Sequence, residues 1–315
     1  MKCLCCNKEI DNPTEYESEV MWHASCIKRF FATDRLPELS VTEEELQKLA
    51  NSTVSKGLTV PGVQKKLSLH LGKEDKVDKL TIVDYPTGYI LKPQSAEYTA
   101  LPEMEFLVMK MADTVGIKTV PSALMRIDGE YVYITKRVDR IKKGLLAMED
   151  FCQLSGRMTA DKYKSSYEKC AEVIKNYSTN PGLDGTELLV RLLFCFVTGN
   201  SDMHLKNFSL IERAPGLREY ILSPAYDLLP VNIVMPADKD QTALTLNGKK
   251  RNIRKKDFLE LSKKLMINEK AAANLIRRTA GYKDLFCDMI QESIIPEEYK
   301  APFAELVRKR CEIIG

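Results

Sequence analysis

No segment of this chain approaches the roughly twenty consecutive apolar residues that a membrane-spanning helix requires. The opening residues Met1-Lys-Cys-Leu-Cys-Cys lack the apolar run of a signal peptide, so a cytoplasmic protein is expected. Neither sign of charge is in excess: 47 basic against 44 acidic side chains leave +3. That balance argues against a surface given over to nucleic acid or anionic membrane. There is no internal repeat, low-complexity tract or sustained heptad, which excludes repeat arrays and long coiled coils.

The sequence does contain 315 residues, 44% of them apolar, enough for about two domains or one large bilobal one. Four of its nine cysteines fall in the first 26 residues, while Cys152, Cys170, Cys195, Cys287 and Cys311 are scattered among apolar neighbours. That distribution reads as one metal site plus buried thiols. Cys3-x2-Cys6 and His23-x2-Cys26 form two ligand pairs separated by sixteen residues, suited to tetrahedral Zn²⁺ with three thiolates and one imidazole. Cys5 could replace Cys3 or be a spare thiol. Trp22, Phe30 and Phe31 are expected to cover the metal, because so short a module cannot fold without a staple. With no open ligand position, the zinc would be structural.

Three parts are expected along the chain: a zinc module at 1–35, a β-rich lobe at 36–145 and a mainly helical lobe at 146–315. Thr42 and Glu45 offer a capping box for a helix at 43–50. Strands are expected at 66–71, 80–83 and 89–92. A helix follows from Pro102, with Met104, Leu107, Val108, Met111 and Val115 at helical spacing and Gly116 at its end. Asp128-Gly129 signals a hairpin between 123–127 and 131–138. Helices are then expected at 148–154, 163–176, 187–198 and through 255–315, with a strand pair at 208–211 and 218–222. Sheet, helix and hairpin follow one another as in a kinase amino-terminal lobe.

Asp202-Met-His-Leu-Lys-Asn207 follows the apolar helix ending at Gly199, and Asp227 lies twenty residues beyond Asn207. Phosphoryl transfer needs such a set: Asp202 to accept or orient a hydroxyl, Asn207 and Asp227 to hold Mg²⁺ against ATP phosphates. Lys92 ends the apolar strand Tyr-Ile-Leu-Lys, where an ammonium can reach phosphate, and Glu105 on the next helix could hold it. The loop Gly62-Val63-Gln64-Lys65-Lys66 could lay backbone N–H groups against phosphate. His204 is expected to be structural, beneath the loop. The six positive charges between Lys249 and Lys256 read as a solvated loop entering a helix. No aromatic residues interleave them, so direct nucleic-acid binding is not expected.

VPGVQKKLSL, YILKP, ITKRVDR, MEDFCQ and DMHLKNFS with AYDLLP agree in order and spacing with the HipA family of bacterial serine/threonine kinases, which these segments resemble. The resemblance covers about 53–265. It implies an α+β, bilobal protein-kinase-like fold, ATP and Mg²⁺ as cofactors, and a protein substrate. Translation proteins are frequent targets in that family, and a small helix-turn-helix antitoxin of the HipB type is implied as partner. By resemblance Asp202 is the catalytic aspartate, Asn207 and Asp227 the metal ligands and Lys92 the phosphate-binding lysine. Gly62, Val63, Gln64 and Lys66 belong to the nucleotide loop, Lys136, Arg137 and Val138 to the linker meeting adenine, and Tyr226 to the nucleotide site. Lys206 is placed as a supporting residue, and Thr59 as the hydroxyl for self-phosphorylation. Met203 stands where relatives commonly carry a smaller or basic residue, leaving the acidic and amide groups intact. The competing functions are a kinase for a small molecule or lipid, and an inactive kinase scaffold used as a binding module.

Overall fold

The computed structural model describes residues 1–39, 66–83, 85–142 and 144–315. The helix expected at 43–50 with its capping pair Thr42 and Glu45, together with Thr59, Gly62, Val63, Gln64 and Lys65, lies outside the described residues. By packing, the chain divides into two units: Met1–Phe106 with Val120–Arg140, and Leu107–Thr119 with Ile141–Gly315.

The first unit opens with the Cys-rich module. A tight turn closes as Asn7 N–H donates to Cys3 O (2.9 Å) and Cys3 N–H to Lys8 O (2.8 Å). Helix α1 (Glu15–Val20) is opened by the reciprocal capping box of Thr14 and Glu17. Helix α2 (Ala24–Phe31) starts at His23 and buries Cys26, Ile27, Phe30 and Phe31, the helical spacing that makes one apolar face.

Six strands follow: β1 (Glu38–Leu39), β2 (Leu67–Glu74), β3 (Val77–Val83), β4 (Tyr89–Lys92), β5 (Ser122–Ile127) and β6 (Glu130–Lys136). They form one sheet in the order β1-β3-β2-β4-β6-β5, antiparallel except where β1 joins β3. Asp75 and Lys76 (φ 50° and 68°) turn one hairpin, Asp128 and Gly129 (φ 50° and 92°) another. Two consecutive positive φ values are what a type I′ hairpin turn requires. The Asp75-Lys76 turn carries β2 and β3 beyond the spans expected from sequence.

The module covers the edge strand β5. Leu124 N–H donates to Leu4 O (2.8 Å), and the buried Trp22 indole donates from Nε1 to Leu124 O (3.0 Å). The outward polar groups at that point of the edge are thereby satisfied rather than offered to another strand. Phe31 packs 5.4 Å from Tyr89 and 4.8 Å from Phe30, centroid to centroid. Trp22, Phe30 and Phe31 therefore join the module to the sheet.

Helix α3 (Leu101–Thr114) buries Leu101, Met104, Leu107, Val108 and Met111. It ends as Gly116 N–H meets Asp113 O (3.1 Å) and Ile117 N–H meets Ala112 O (3.0 Å), with Gly116 at φ 86°. This is a Schellman closure, in which glycine takes the left-handed position without a Cβ clash.

In the second unit, β7 (Met148–Asp150), β8 (Ser209–Glu212) and β9 (Tyr220–Leu222) form a sheet in the order β9-β8-β7. The helix expected over 148–154 forms only in its second half, as α4 (Phe151–Leu154), because Met148–Asp150 pairs with Ser209–Ile211. Helix α5 (Tyr167–Tyr177) begins four residues later than expected, at its Ser166 cap. Helix α6 (Pro181–Thr198) begins six residues earlier, with Pro at its first turn. The remaining helices are α7 (Val231–Val234), α8 (Lys255–Lys264), α9 (Glu269–Ala280), α10 (Lys283–Gln291) and α11 (Glu297–Ile314). Almost every residue of α6 from Leu188 to Thr198 is buried, as befits a core helix apolar all round.

Candidate active site and metal centre

Cys3 and Cys6 come from the first turn of the chain, His23 from the start of α2 and Cys26 from its first turn. Three residues apart on a helix, His23 and Cys26 face the same side. The ligand atoms of Cys3, Cys6, His23 and Cys26 all lie within 4.8 Å of one another. His23 Nε2 donates to Glu9 O (3.1 Å), which leaves Nδ1 as the ligating nitrogen, 3.4 Å from Cys6 Sγ and 3.8 Å from Cys26 Sγ. Backbone N–H groups of Cys5 and His23 reach Cys3 Sγ (3.5 and 3.4 Å), and Arg29 Nη2 reaches Cys26 Sγ (3.4 Å). Such donors stabilise thiolates once a metal holds them. As thiols, Cys3 is pushed up to about 12 by its hydrogen bond with Cys26 and by burial. The converging group contains Cys3, Cys5 also hydrogen-bonds Cys26, and a donor set of three sulfurs and one imidazole fits zinc.

Lys92, the last residue of β4, is 2% exposed, and Glu105 on α3 is 1% exposed. Lys92 Nζ donates to both Glu105 oxygens, at 2.6 and 2.7 Å, and lies 5.2 Å from the centroid of the Tyr133 ring, its cross-strand neighbour. Beside it Gln94 Nε2 donates to Glu103 Oε2 (2.9 Å), while burial raises the Glu103 carboxyl above its usual range. Lys66, just before β2, is exposed. Lys136 reaches Phe30 O (3.5 Å) and the face of Tyr89 (5.9 Å). Arg137 N–H donates to Gly88 O (2.8 Å), its guanidinium makes a two-point pair with Asp139 (3.0 and 2.7 Å), and Val138 between them is half-buried.

In the second unit, α6 closes on Gly199 at φ 74°. Asn200 N–H then returns to Cys195 O (2.8 Å), and Asn232 N–H meets Gly199 O (2.9 Å). From that closure the chain enters the Asp202 loop. Asn200 Oδ1 accepts from Asp202 N–H (3.1 Å), and Asn207 Nδ2 donates to Asp202 O (2.8 Å). With its amide nitrogen so committed, buried Asn207 has Oδ1 left to meet a cation. Asp202 Oδ1 accepts from the Tyr163 hydroxyl (2.6 Å). His204 is 5% exposed, its ring edge-to-face with Tyr163 at 4.9 Å, and Met203 is fully buried beneath the loop. Tyr167 hydroxyl donates to Met203 O (3.1 Å) and so ties down the loop backbone. Lys206 pairs with Asp150 (2.7 Å).

Tyr226 hydroxyl shares a hydrogen bond with Ser209 Oγ (2.6 Å) and donates to Lys206 O (3.1 Å), so the Tyr226–Asp227 segment runs beside Lys206–Ser209. Burial pushes the Tyr226 phenol well above its usual value. Asp227 itself sits at φ 56°, a left-handed conformation uncommon outside glycine and concentrated at functional positions.

Sequence reasoning missed three supports of this loop. Tyr163 was hidden inside an expected helix; Ser166, a good cap residue, marks where that helix begins. Asn232 donates from Nδ2 to Ser201 Oγ, Asp238 O and Asp240 O (3.3, 3.2 and 3.0 Å). Arg310 on α11 donates to Phe196 O and to Asn232 Oδ1, both at 3.0 Å. No sequence signal points to these two. The basic run, by contrast, is engaged: Lys249 pairs with buried Asp257 (2.6 Å) and Arg251 with Asp240 (2.7 Å).

The profile of the HipA-like C-terminal domain matches residues 58–284. The chain belongs to that family. A Sinorhizobium fredii protein named "Putative kinase Y4dM" is 33% identical over 239 residues, covering 70% of this chain and 57% of the relative. The serine/threonine-protein kinase toxin HipA of Shewanella oneidensis is 24% identical over 234 residues, covering 63% and 52%. The chain thus spans little more than half the length of these relatives. The solved complex of Shewanella oneidensis HipA with HipB and operator DNA matches with a TM-score of 0.69 at 18% identity, over 86% of this chain and 70% of that one. The Helicobacter pylori proinflammatory kinase CtkA matches with a TM-score of 0.51 at 15% identity, over 79% and 98%. The fold is therefore the α+β, kinase-like fold of HipA and CtkA. Among the described residues of this HipA-like chain, no helix is long and apolar enough to cross a membrane.

Proposed function

We propose that this chain is an ATP- and Mg²⁺-dependent protein kinase that transfers phosphate to serine or threonine. The carrying observation is the Asp202–Asn207 loop, where one side chain presents a carboxylate to a hydroxyl and the other keeps an oxygen for a cation. Asp227 supplies a second hard oxygen donor, as Mg²⁺ prefers. Lys92, fixed by Glu105, supplies the positive point charge for phosphate, with Gly62, Val63, Gln64 and Lys66 as the nucleotide loop. Lys136, Arg137, Val138 and Tyr226 complete the nucleotide site, and the kinase names of the relatives support the same chemistry.

On this reading Cys3, Cys6, His23 and Cys26 hold a structural zinc, and residues 1–35, 36–145 and 146–315 act as metal module, nucleotide lobe and catalytic lobe. Thr59 is a site of self-phosphorylation, a HipB-type helix-turn-helix protein is the antitoxin partner, and the cytoplasm, where nine cysteines outside any disulfide stay reduced, is the compartment. Purified protein given MgATP and dephosphorylated casein should label the casein, and Asp202→Ala should abolish the labelling. Transfer that persists in this variant removes Asp202 from its role.

A further inference from the structure

Kinase chemistry places the acceptor hydroxyl against the catalytic aspartate. In this chain a hydroxyl already stands there: Tyr163 Oη donates to Asp202 Oδ1 at 2.6 Å. The contact is built from the main chain outward. Leu205 N–H, within the catalytic loop, donates to Lys162 O (3.2 Å), and Lys164 N–H closes a turn on Asp161 O (2.8 Å), so Tyr163 is tethered on both sides. The ring is held edge-on by His204 (4.9 Å) and covered by Lys162 Nζ (5.0 Å), yet Tyr163 remains 42% exposed. Burial of the phenol, and then the charge of Asp202, push its proton affinity up, so the group is a proton donor seeking a base rather than a phenolate.

We propose that Tyr163 is a phosphoacceptor of the chain's own active site, modified in cis. The proposal rests on the ATP-dependent phosphotransfer of the kinase reading above and extends its acceptors, beyond serine and threonine, to the one tyrosine hydroxyl that the fold holds on Asp202. In the transfer, Tyr163 Oη forms a bond to the γ-phosphorus of ATP while the bond from that phosphorus to ADP breaks, its electron pair leaving with ADP. The phenolic proton passes to Asp202 Oδ1 and from there to water. The product places about two negative charges beside the Asp202 carboxylate. Like-charge repulsion then expels the ring from the acceptor position, and another hydroxyl can enter.

The test uses the full-length chain, treated with phosphatase and then with MgATP, in a mixture with an isotopically heavy Asp202→Asn chain whose fold is checked by circular dichroism. Dephosphorylated casein is included as external acceptor, and phosphate is mapped by mass spectrometry. The expected result is phosphotyrosine at position 163 of the light, active chain and its loss in the heavy chain. Labelled casein with Tyr163 unmodified overturns this proposal and leaves the kinase reading standing. Phosphate at Tyr163 of the heavy chain overturns transfer in cis, and no transfer to any acceptor overturns both readings.

Discussion

Replacing Arg310 with Met tests whether the last helix holds the Asp202 loop in place. Arg310 is 8% exposed, and burial lowers its pKa to about 10, equivalent to roughly 3 kcal/mol against the charged form. Against that cost stand two charge-assisted hydrogen bonds, to Phe196 O and Asn232 Oδ1, each contributing about 1.5–3 kcal/mol. The guanidinium also lies 4.6 Å from the Phe196 ring centroid, contributing about 1–2 kcal/mol when desolvated. Met fills similar volume but recovers none of these bonds and strands Asn232 Oδ1, so the expected net loss is about 2–5 kcal/mol. For a chain of 315 residues that corresponds to a fall in Tm of roughly 3–8 °C. Asn232 N–H also donates to Gly199 O, so its displacement moves the entry to the Asp202 loop. A shift of about 1 Å there costs on the order of a hundredfold in kcat, with KM for ATP little changed. Arg310→Lys, able to reach one acceptor, should recover part of both losses. Calorimetry and steady-state transfer read the two effects separately. A Met variant within about 0.5 kcal/mol of the parent, with unaltered kcat, would refute the reasoning.

Lys92→Met or Glu105→Gln should each destabilise by about 3–5 kcal/mol by breaking a buried ion pair; in urea titrations the double change to apolar residues should recover stability while phosphoryl transfer stays lost. Metal analysis should find about one zinc per chain, lowered in Cys6→Ser and Cys26→Ser, and chelation should red-shift emission from the single tryptophan as Trp22 leaves Leu124 O. Asp257→Asn should flatten the acid limb of the stability curve. Burial raises the Asp257 carboxyl, but the bonds from Lys249, Asn247 and the Arg254 N–H together hold it below its usual range, so its contribution is present above about pH 4 and disappears as pH falls through the folded pKa; a difference between the two proteins that grew on acidification would reverse the sign. Gly199→Ala should lower Tm, since φ is +74° and a Cβ would meet Leu306 Cδ2 at 3.1 Å; an unchanged Tm would show that the loop tolerates the strain.

Local chemistry was legible where one residue type decides the backbone. Asp128-Gly129 turns the hairpin because both residues tolerate positive φ, and Tyr89–Lys92 reads as a strand because its side chains alternate against a sheet. Met148–Asp150 misled because its residues are ordinary helix formers and only the partner strand at 209–211 makes it extended. The Asp202–Asn207 spacing was visible, as were Cys3, Cys6, His23 and Cys26, whose ligand atoms converge. Arg310 was not: its acceptors lie 114 and 78 residues away, and nothing local marks a buried arginine.

The metal centre and Lys92 belong to one continuous structure within the first unit. A metal held by Cys3, Cys6, His23 and Cys26 fixes the start of α2, and with it the ring positions of Phe30 and Phe31. Those rings pack on Tyr89, whose hydroxyl also donates to Phe30 O (3.4 Å). Tyr89 opens the four-residue strand that Lys92 closes, and its cross-strand partner is Lys136, whose ammonium returns to Phe30 O. A strand so short has few ladder bonds of its own, so its register depends on what covers it. A metal bound there would therefore stabilise more than a terminal knuckle: it would brace the central strand that ends in Lys92, and on the kinase proposal an alkylated or metal-stripped module should weaken nucleotide binding while the Asp202 loop, built wholly within the second unit, keeps its own hydrogen bonds.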